Sequence, residues 1–174
     1  MKKYSLNLFL ALILFTAGLV LADINPVNAE SRGDMESLAK QSIIVWNTGN
    51  TAIANQIYAP DFTMRWVDQD IPDINGVTEL MDYLSFIRKA YPDMKIVADH
   101  LNVDGDTVIA RITFTGTNMG PIGDMPPTNK KLKISAVWII YIKEGVITEQ
   151  LDYNNRASIL TQLGFTLVPP ADEK

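Results

Sequence analysis

The 174-residue sequence has no cysteine and a single histidine, His100. The first absence excludes disulfides, thiolate nucleophiles and cysteine-ligated metals. The second excludes a zinc or iron site built on several imidazoles of one chain. A carboxylate-only magnesium or calcium site stays open, but there is no Asp-x-Asp-x-Asp-Gly loop to supply it. Clustered positive charge is missing too. Adjacent basic residues occur only at Lys2-Lys3, Arg88-Lys89 and Lys130-Lys131, and the net charge is −5. A basic stripe that could track phosphates is therefore absent, and no nucleic-acid partner is expected. Nor is there an internal repeat or a low-complexity tract. What remains is 47% hydrophobic and 20% charged, enough for one domain with a real core.

The long apolar run sits at the N-terminus. Residues 6–21 are apolar except for Asn7, Thr16 and Gly18, and Lys2 and Lys3 precede them. Two small-residue cleavage patterns follow, Val20-Leu21-Ala22 and Val27-Asn28-Ala29. This is the layout of an export signal. Residues 1–29 are expected to be removed, with cleavage after Ala22 as the alternative, giving a secreted or periplasmic protein with no membrane span. An uncleaved anchor is the rival reading, because the run nears the roughly 17 residues that a span needs. Residues 30–168 form the expected domain, and 169–174 a flexible tail.

Periodicity divides the domain into a helical first half and a strand-rich second half. Residues 37–46 and 78–91 carry apolar side chains at helical spacing, ended by Asn47-Thr48-Gly49 and by Pro92. Between them, Thr51 is placed to cap a short helix that Pro60 closes, and residues 62–67 read as a strand. Strands are then expected at 95–103, 107–115, 131–142 and 146–153, with turns at Asp104-Gly105-Asp106 and Lys143-Glu144-Gly145. A last short helix covers 155–163. On 107–115 the inner row is Val108, Ala110, Ile112 and Phe114. On 131–142 both rows are apolar, so both faces need cover. Helices cover one; a second copy of the chain, docking on Val137, Ile139 and Tyr141, is the expected cover for the other. The fold class is α+β.

Several short strings occur in order along these elements: Trp46-Asn47-Thr48-Gly49-Asn50, Tyr58-Ala59-Pro60-Asp61-Phe62, Tyr91-Pro92-Asp93, Gly116-Thr117-Asn118-Met119-Gly120, Pro126-Pro127-Thr128-Asn129-Lys130 and Gln162-Leu163-Gly164. Together, over about residues 38–164, they resemble the SnoaL-like polyketide cyclases of the nuclear-transport-factor-2-like superfamily. The resemblance implies a cone-shaped, strongly curved antiparallel sheet wrapped by three to four helices around a pocket. It also implies a small hydrophobic substrate, ring closure by intramolecular aldol condensation, and an aspartate as acid/base with no metal or cofactor; a non-catalytic binding protein for a small apolar ligand and a dimeric accessory domain are the alternative readings.

Aligned on Gln162-Leu163-Gly164, the family's tryptophan and aspartate fall on Leu151 and Asn155. An amide takes up no proton at neutral pH; Asn155 either holds a ligand oxygen or caps the last helix. With Leu151 facing the pocket, alternation turns Asp152 away from it. Asn118 stands where the family loop commonly has histidine, and Arg65 or Trp66 where the first strand often has another. Asp99 shares the apolar row of Val97, Leu101 and Val103 and is an alternative base if buried, while His100 lies on the opposite row as the remaining titratable candidate. Trp46, Tyr58, Trp66, Tyr83, Trp138 and Tyr153, with Asn118, are candidate pocket contacts for a flat ligand, although aromatics at such spacing also serve as core.

Overall fold

The computed structural model describes residues 29–166 and Val168. The expected export signal, apart from Ala29, and the expected tail at 169–174 lie outside the described residues. Four helices and six strands run in the order α1 (Ala29–Thr48), α2 (Thr51–Ile57), β1 (Tyr58–Trp66), β2 (Ile74–Asn75), α3 (Gly76–Ala90), β3 (Lys95–Asp104), β4 (Thr107–Thr117), β5 (Lys131–Lys143), β6 (Val146–Asn154) and α4 (Arg156–Gln162) among the described residues. The strands form one curved, unclosed sheet in the order β2-β1-β6-β5-β4-β3. The sheet is mixed rather than wholly antiparallel, because β1 runs parallel to β6. No pattern within either strand announces that long-range pairing. No helix among the described residues is long and apolar enough to cross a membrane.

Each element has a local cause. Gly49 ends α1 with a positive φ of 70° and returns its N–H to the Val45 carbonyl at 2.7 Å. Asn50, not Thr51, caps α2 by accepting from the Ile53 N–H. The core lies between the concave sheet face and the helices. Val108, Ala110 and Ile112 of β4 and Ala136, Trp138, Ile140 and Ile142 of β5 point into it, as alternation requires. α1 crosses β3 and β4, and α3 covers β1 and β2. Asn47 docks α1 onto β3 as a strand would, donating to the Ile96 carbonyl at 2.8 Å and accepting from its N–H at 2.7 Å. On the convex face, Val137, Ile139 and Tyr141 are half-buried, and Ile109 is exposed.

The loop between β4 and β5 is held by Asn118, which is 1% exposed. Its amide donates to the Gly120 carbonyl at 2.8 Å and accepts from the Thr128 N–H at 2.7 Å and hydroxyl at 3.0 Å. Gly120 lies so close to the end of α3 that an added Cβ would collide with the Lys89 carbonyl. The Gly-Thr-x-x-Gly and Pro-Pro-Thr strings are therefore a clasp between this loop and α3. Replacing Asn118 with alanine removes three hydrogen bonds and strands buried groups. Asn118→Ala is expected to lower unfolding stability by about 2–4 kcal/mol, read from urea denaturation midpoints at constant m.

Candidate active site

Trp66, Asp152 and Trp138 lie side by side across three strands. Trp66 of β1 and Trp138 of β5 are both register partners of Asp152 on β6, and all three side chains are buried. They line a cavity of about 190 Å³ between sheet and helices, together with Trp46 of α1 and Tyr83 of α3. The rings form a continuous chain. Trp138 and Trp46 have centroids 5.1 Å apart, Trp46 and Tyr83 meet edge-on at 6.1 Å, and Tyr83 meets Trp66 at 5.0 Å. Further along the strands the wall is aliphatic or aromatic, with Ile96, Ile112, Phe114 and Leu132. Phe114, Ile122, Ile134 and Ile159 are only partly buried, as are Tyr83, Gln69 and Asn154 near Asp152.

The Asp152 carboxylate is the charged group in this wall. Its Oδ2 accepts from the Trp138 indole N–H at 2.9 Å and its Oδ1 from the Asn154 amide at 2.8 Å. Asn154 is itself oriented by Gln69, whose amide donates to Asn154 Oδ1 at 3.0 Å. The segment that carries Gln69 is tied down by the Val67 N–H, which donates to the Asp152 carbonyl at 3.0 Å. Burial raises the Asp152 pKa above its ordinary 3.8, and the donors Asn154 and Trp138 oppose the rise. Burial also raises the Tyr83 phenol, reinforced by the nearby Asp152 charge. Among the described residues no hydrogen bond occupies the Tyr83 hydroxyl, so it can donate to a ligand oxygen.

The expected site residues separate into two groups. Trp46, Trp66, Tyr83 and Trp138 converge on the cavity. Tyr58 is buried beside it in the core, where its hydroxyl pairs with Ser42 at 2.8 Å and burial pushes its pKa up to about 12. The Trp46 indole N–H faces that hydroxyl closely enough to oppose the rise, without reaching hydrogen-bond geometry. Asn118 is the loop clasp. Asn155 caps α4, accepting from the Ser158 N–H at 2.9 Å. Tyr153 is exposed on the convex face, where it and Asn155 line an open groove with Arg111 and Arg156. That groove is larger than the cavity but holds no buried acid.

Two placements are corrections. Asp99 does not enter the cone. It is the unpaired residue of a β-bulge in β3, between Ala98, partner of Ile112, and His100, partner of Arg111. The bulge turns both Asp99 and His100 to solvent and leaves Leu101 and Val103 facing inward. Asp99 accepts from the Thr113 hydroxyl at 2.8 Å and lies 3.9 Å from Arg111. Asp152, conversely, faces into the cavity instead of away, and Leu151 is the residue on the outer face. Sequence reading missed Asp152, Asn154 and Gln69. The available signal for Asp152 was the inward row of Trp138, which a second bulge, in β6, pairs with it. Among the described residues no group of three or more His, Asp or Glu side chains is placed to hold a metal ion.

Four helices on a six-stranded, mixed, unclosed curved sheet make the α+β architecture of the nuclear-transport-factor-2-like cone. Residues 36–163 match the family model of the SnoaL-like polyketide cyclases, and the chain belongs to that family. A candidate polyketide cyclase from Bacillus cereus ATCC 10987 is 26% identical, with 80% of this chain and 87% of that one covered at a TM-score of 0.66. A candidate SnoaL-like polyketide cyclase from Jannaschia sp. CCS1 is 16% identical over 79% and 94% of the two chains, with a TM-score of 0.69. IdmH from Streptomyces antibioticus, a candidate polyketide cyclase, is 20% identical over 75% and 99%, with a TM-score of 0.64. Comparison with curated protein sequences gives no match.

The two donors on Asp152 give a prediction with a definite sign. A raised folded-state pKa favours the protonated form, so the carboxyl's contribution to stability falls as pH rises from the ordinary 3.8 through the folded value. Asn154→Ala removes one donor to the ionised form. Its Asp152 is expected to titrate at still higher pH than in the parent protein, seen as a shifted carboxyl resonance in a ¹³C NMR titration.

Proposed function

We infer that the chain is a cofactor-free acid–base enzyme of the cyclase type, acting on a small apolar carbonyl compound. The observation that carries this reading is the Asp152 carboxyl, buried in an aromatic cavity with a raised pKa and held at both oxygens. In the proposed step the Asp152 carboxylate takes a proton from the carbon next to a substrate carbonyl. The C–H electron pair becomes the enolate, whose oxygen accepts a hydrogen bond from the Tyr83 hydroxyl. The enolate carbon then attacks a second carbonyl of the same molecule. The new alkoxide recovers the proton from Asp152, so no co-reactant is consumed. Asn154 and Trp138 hold the carboxyl in one orientation through proton loss and gain.

The test follows exchange, the half of this reaction that needs no knowledge of the natural substrate. A neutral enolisable ketone such as cyclohexyl methyl ketone in D₂O is expected to gain deuterium at its α-carbons faster with the protein than without. The rate should rise with pH through a carboxyl pKa above 3.8. Asp152→Asn should lower it by about 10²–10⁴-fold, the usual contribution of a positioned base. Equal exchange by parent and variant would remove Asp152 from the chemistry and leave the cavity as a binding site alone.

We also propose that the enzyme works outside the cytoplasm as a dimer. The export pattern of residues 1–29 supports the first part, and the half-buried Val137, Ile139 and Tyr141 on the convex face support the second. Native mass spectrometry of the protein recovered from a bacterial periplasm tests both. The expected species begins at Glu30 and has twice the mass of that chain; an intact Met1 or a monomer overturns the respective part.

A further inference from the structure

We propose that the site selects a neutral, compact molecule on the scale of one substituted ring, with its enolisable carbonyl at one end and a remainder that is apolar apart from the second carbonyl consumed by ring closure. This rests on the preceding reading for the carbonyl and on the cavity itself for size and charge. The volume is about 190 Å³. A cavity of about 150 Å³ holds one benzene. By comparison with the benzene cavity, the space encloses one ring with a short substituent. A fused three- or four-ring skeleton cannot be enclosed in it.

The walls cannot readily give way to a larger guest. Trp46, Trp66 and Trp138 are at most 6% exposed and belong to the same packed cluster as Leu80, Leu84 and Ile140. A close-packed interior resists enlargement, and displacing such rings costs more than a few added methylenes return.

Charge is set by what the wall lacks. Among the described residues no lysine, arginine or histidine lines the cavity, and its charged group is the Asp152 carboxylate. An anionic guest would bury its charge beside a like charge with no counterion. A neutral carbonyl meets the Tyr83 hydroxyl at the Asp152 end. Beyond it the sheet presents Ala136 with Ile112, then Ile134 with Phe114, which match an apolar remainder.

The protein carries its own reporter, because its three tryptophans all line the cavity. Intrinsic fluorescence titrations at pH 7 would use three probes that do not absorb with tryptophan: cyclohexyl methyl ketone, cyclohexanecarboxylate of nearly the same shape, and a saturated tetracyclic steroid ketone. The ketone should give a saturable change in emission. The carboxylate should bind at least about tenfold more weakly, and the steroid should give no saturable change. In Asp152→Asn, with folding verified by circular dichroism, the ketone should still bind and the penalty on the carboxylate should shrink. Steroid binding as tight as the small ketone's overturns the size limit. Equal binding of carboxylate and ketone overturns the charge rule, and no response to any probe overturns the cavity as a ligand site. Ketone binding without deuterium exchange leaves this inference standing and defeats the acid–base reading. Exchange catalysed on the steroid does the reverse.

Discussion

β5 and β6 leave their hairpin turn in one register and reach the site in another. Glu144 and Gly145, with φ of 50° and 79°, make the tight two-residue turn that pairs Lys143 with Val146. Carried on without interruption, that register would set Leu151 opposite Trp138. Instead Ile142 pairs with Ile147 and Tyr141 with Glu149, so Thr148 is left unpaired. One extra residue in β6 exchanges the faces of everything beyond it. It brings Asp152 level with Trp138 and Trp66 on the concave side and sends Leu151 and Tyr153 to the convex side. The cavity's acid, its donors and its aromatic neighbours all depend on this displacement.

The same effect explains which parts of the protein were legible in the sequence. The inner row of β4 alternates cleanly from Val108 to Ile112, so Val108, Ala110 and Ile112 declare their face directly, whereas on β5, with both rows apolar, the alternating burial that turns Trp138 inward is visible only in the structure. The helices show their spacing and their stops, and the ordered strings identify the scaffold because they are what holds it together: Asn47 on β3, Asn118 in the loop, Gly120 against α3. β3 and β6 are different. Each contains a bulge, at Asp99 and at Thr148, and a bulge is decided by the partner strand and by packing rather than by the residue that bulges. Alternation counted across the β3 bulge puts Asp99 on the wrong side, whereas Asp152 is misplaced by taking Leu151, at the family's tryptophan position, as the residue that faces the pocket. Asn155 was legible as a helix cap, because asparagine before a short helix has a local use that needs no ligand.

Keeping an acid in an aromatic interior requires a balance. Full desolvation favours the protonated form, while each donated hydrogen bond favours the ionised one. Among the described residues Asp152 has one donor per oxygen and no cation against it, which leaves its pKa raised yet keeps the carboxylate accessible as a base. The arrangement also fixes the amide of Asn154. Because its Oδ1 accepts from Gln69, its NH₂ group must face Asp152, and the side chain has no equivalent flipped state. Gln69 thus acts on the acid through Asn154 from a segment that is otherwise only a turn between β1 and β2. Such a carboxyl works against folding at neutral pH, a cost usual for groups kept for chemistry rather than for packing.

The walls and the core are the same atoms. Trp138, Trp46, Tyr83 and Trp66 come from β5, α1, α3 and β1, and their edge and tilted contacts join the sheet to both long helices. A pocket formed between separate domains or beneath a loop can open without loss of the core. This one cannot, because widening it separates the rings that hold helices to sheet. Several lining residues are partly buried, among them Phe114 and Ile134 at one part and Tyr83, Gln69 and Asn154 near Asp152, but the three tryptophans are held by core packing. Selectivity for a small guest and stability of the cone are therefore two consequences of one set of aromatic contacts, and a change that enlarges the site must also loosen the fold.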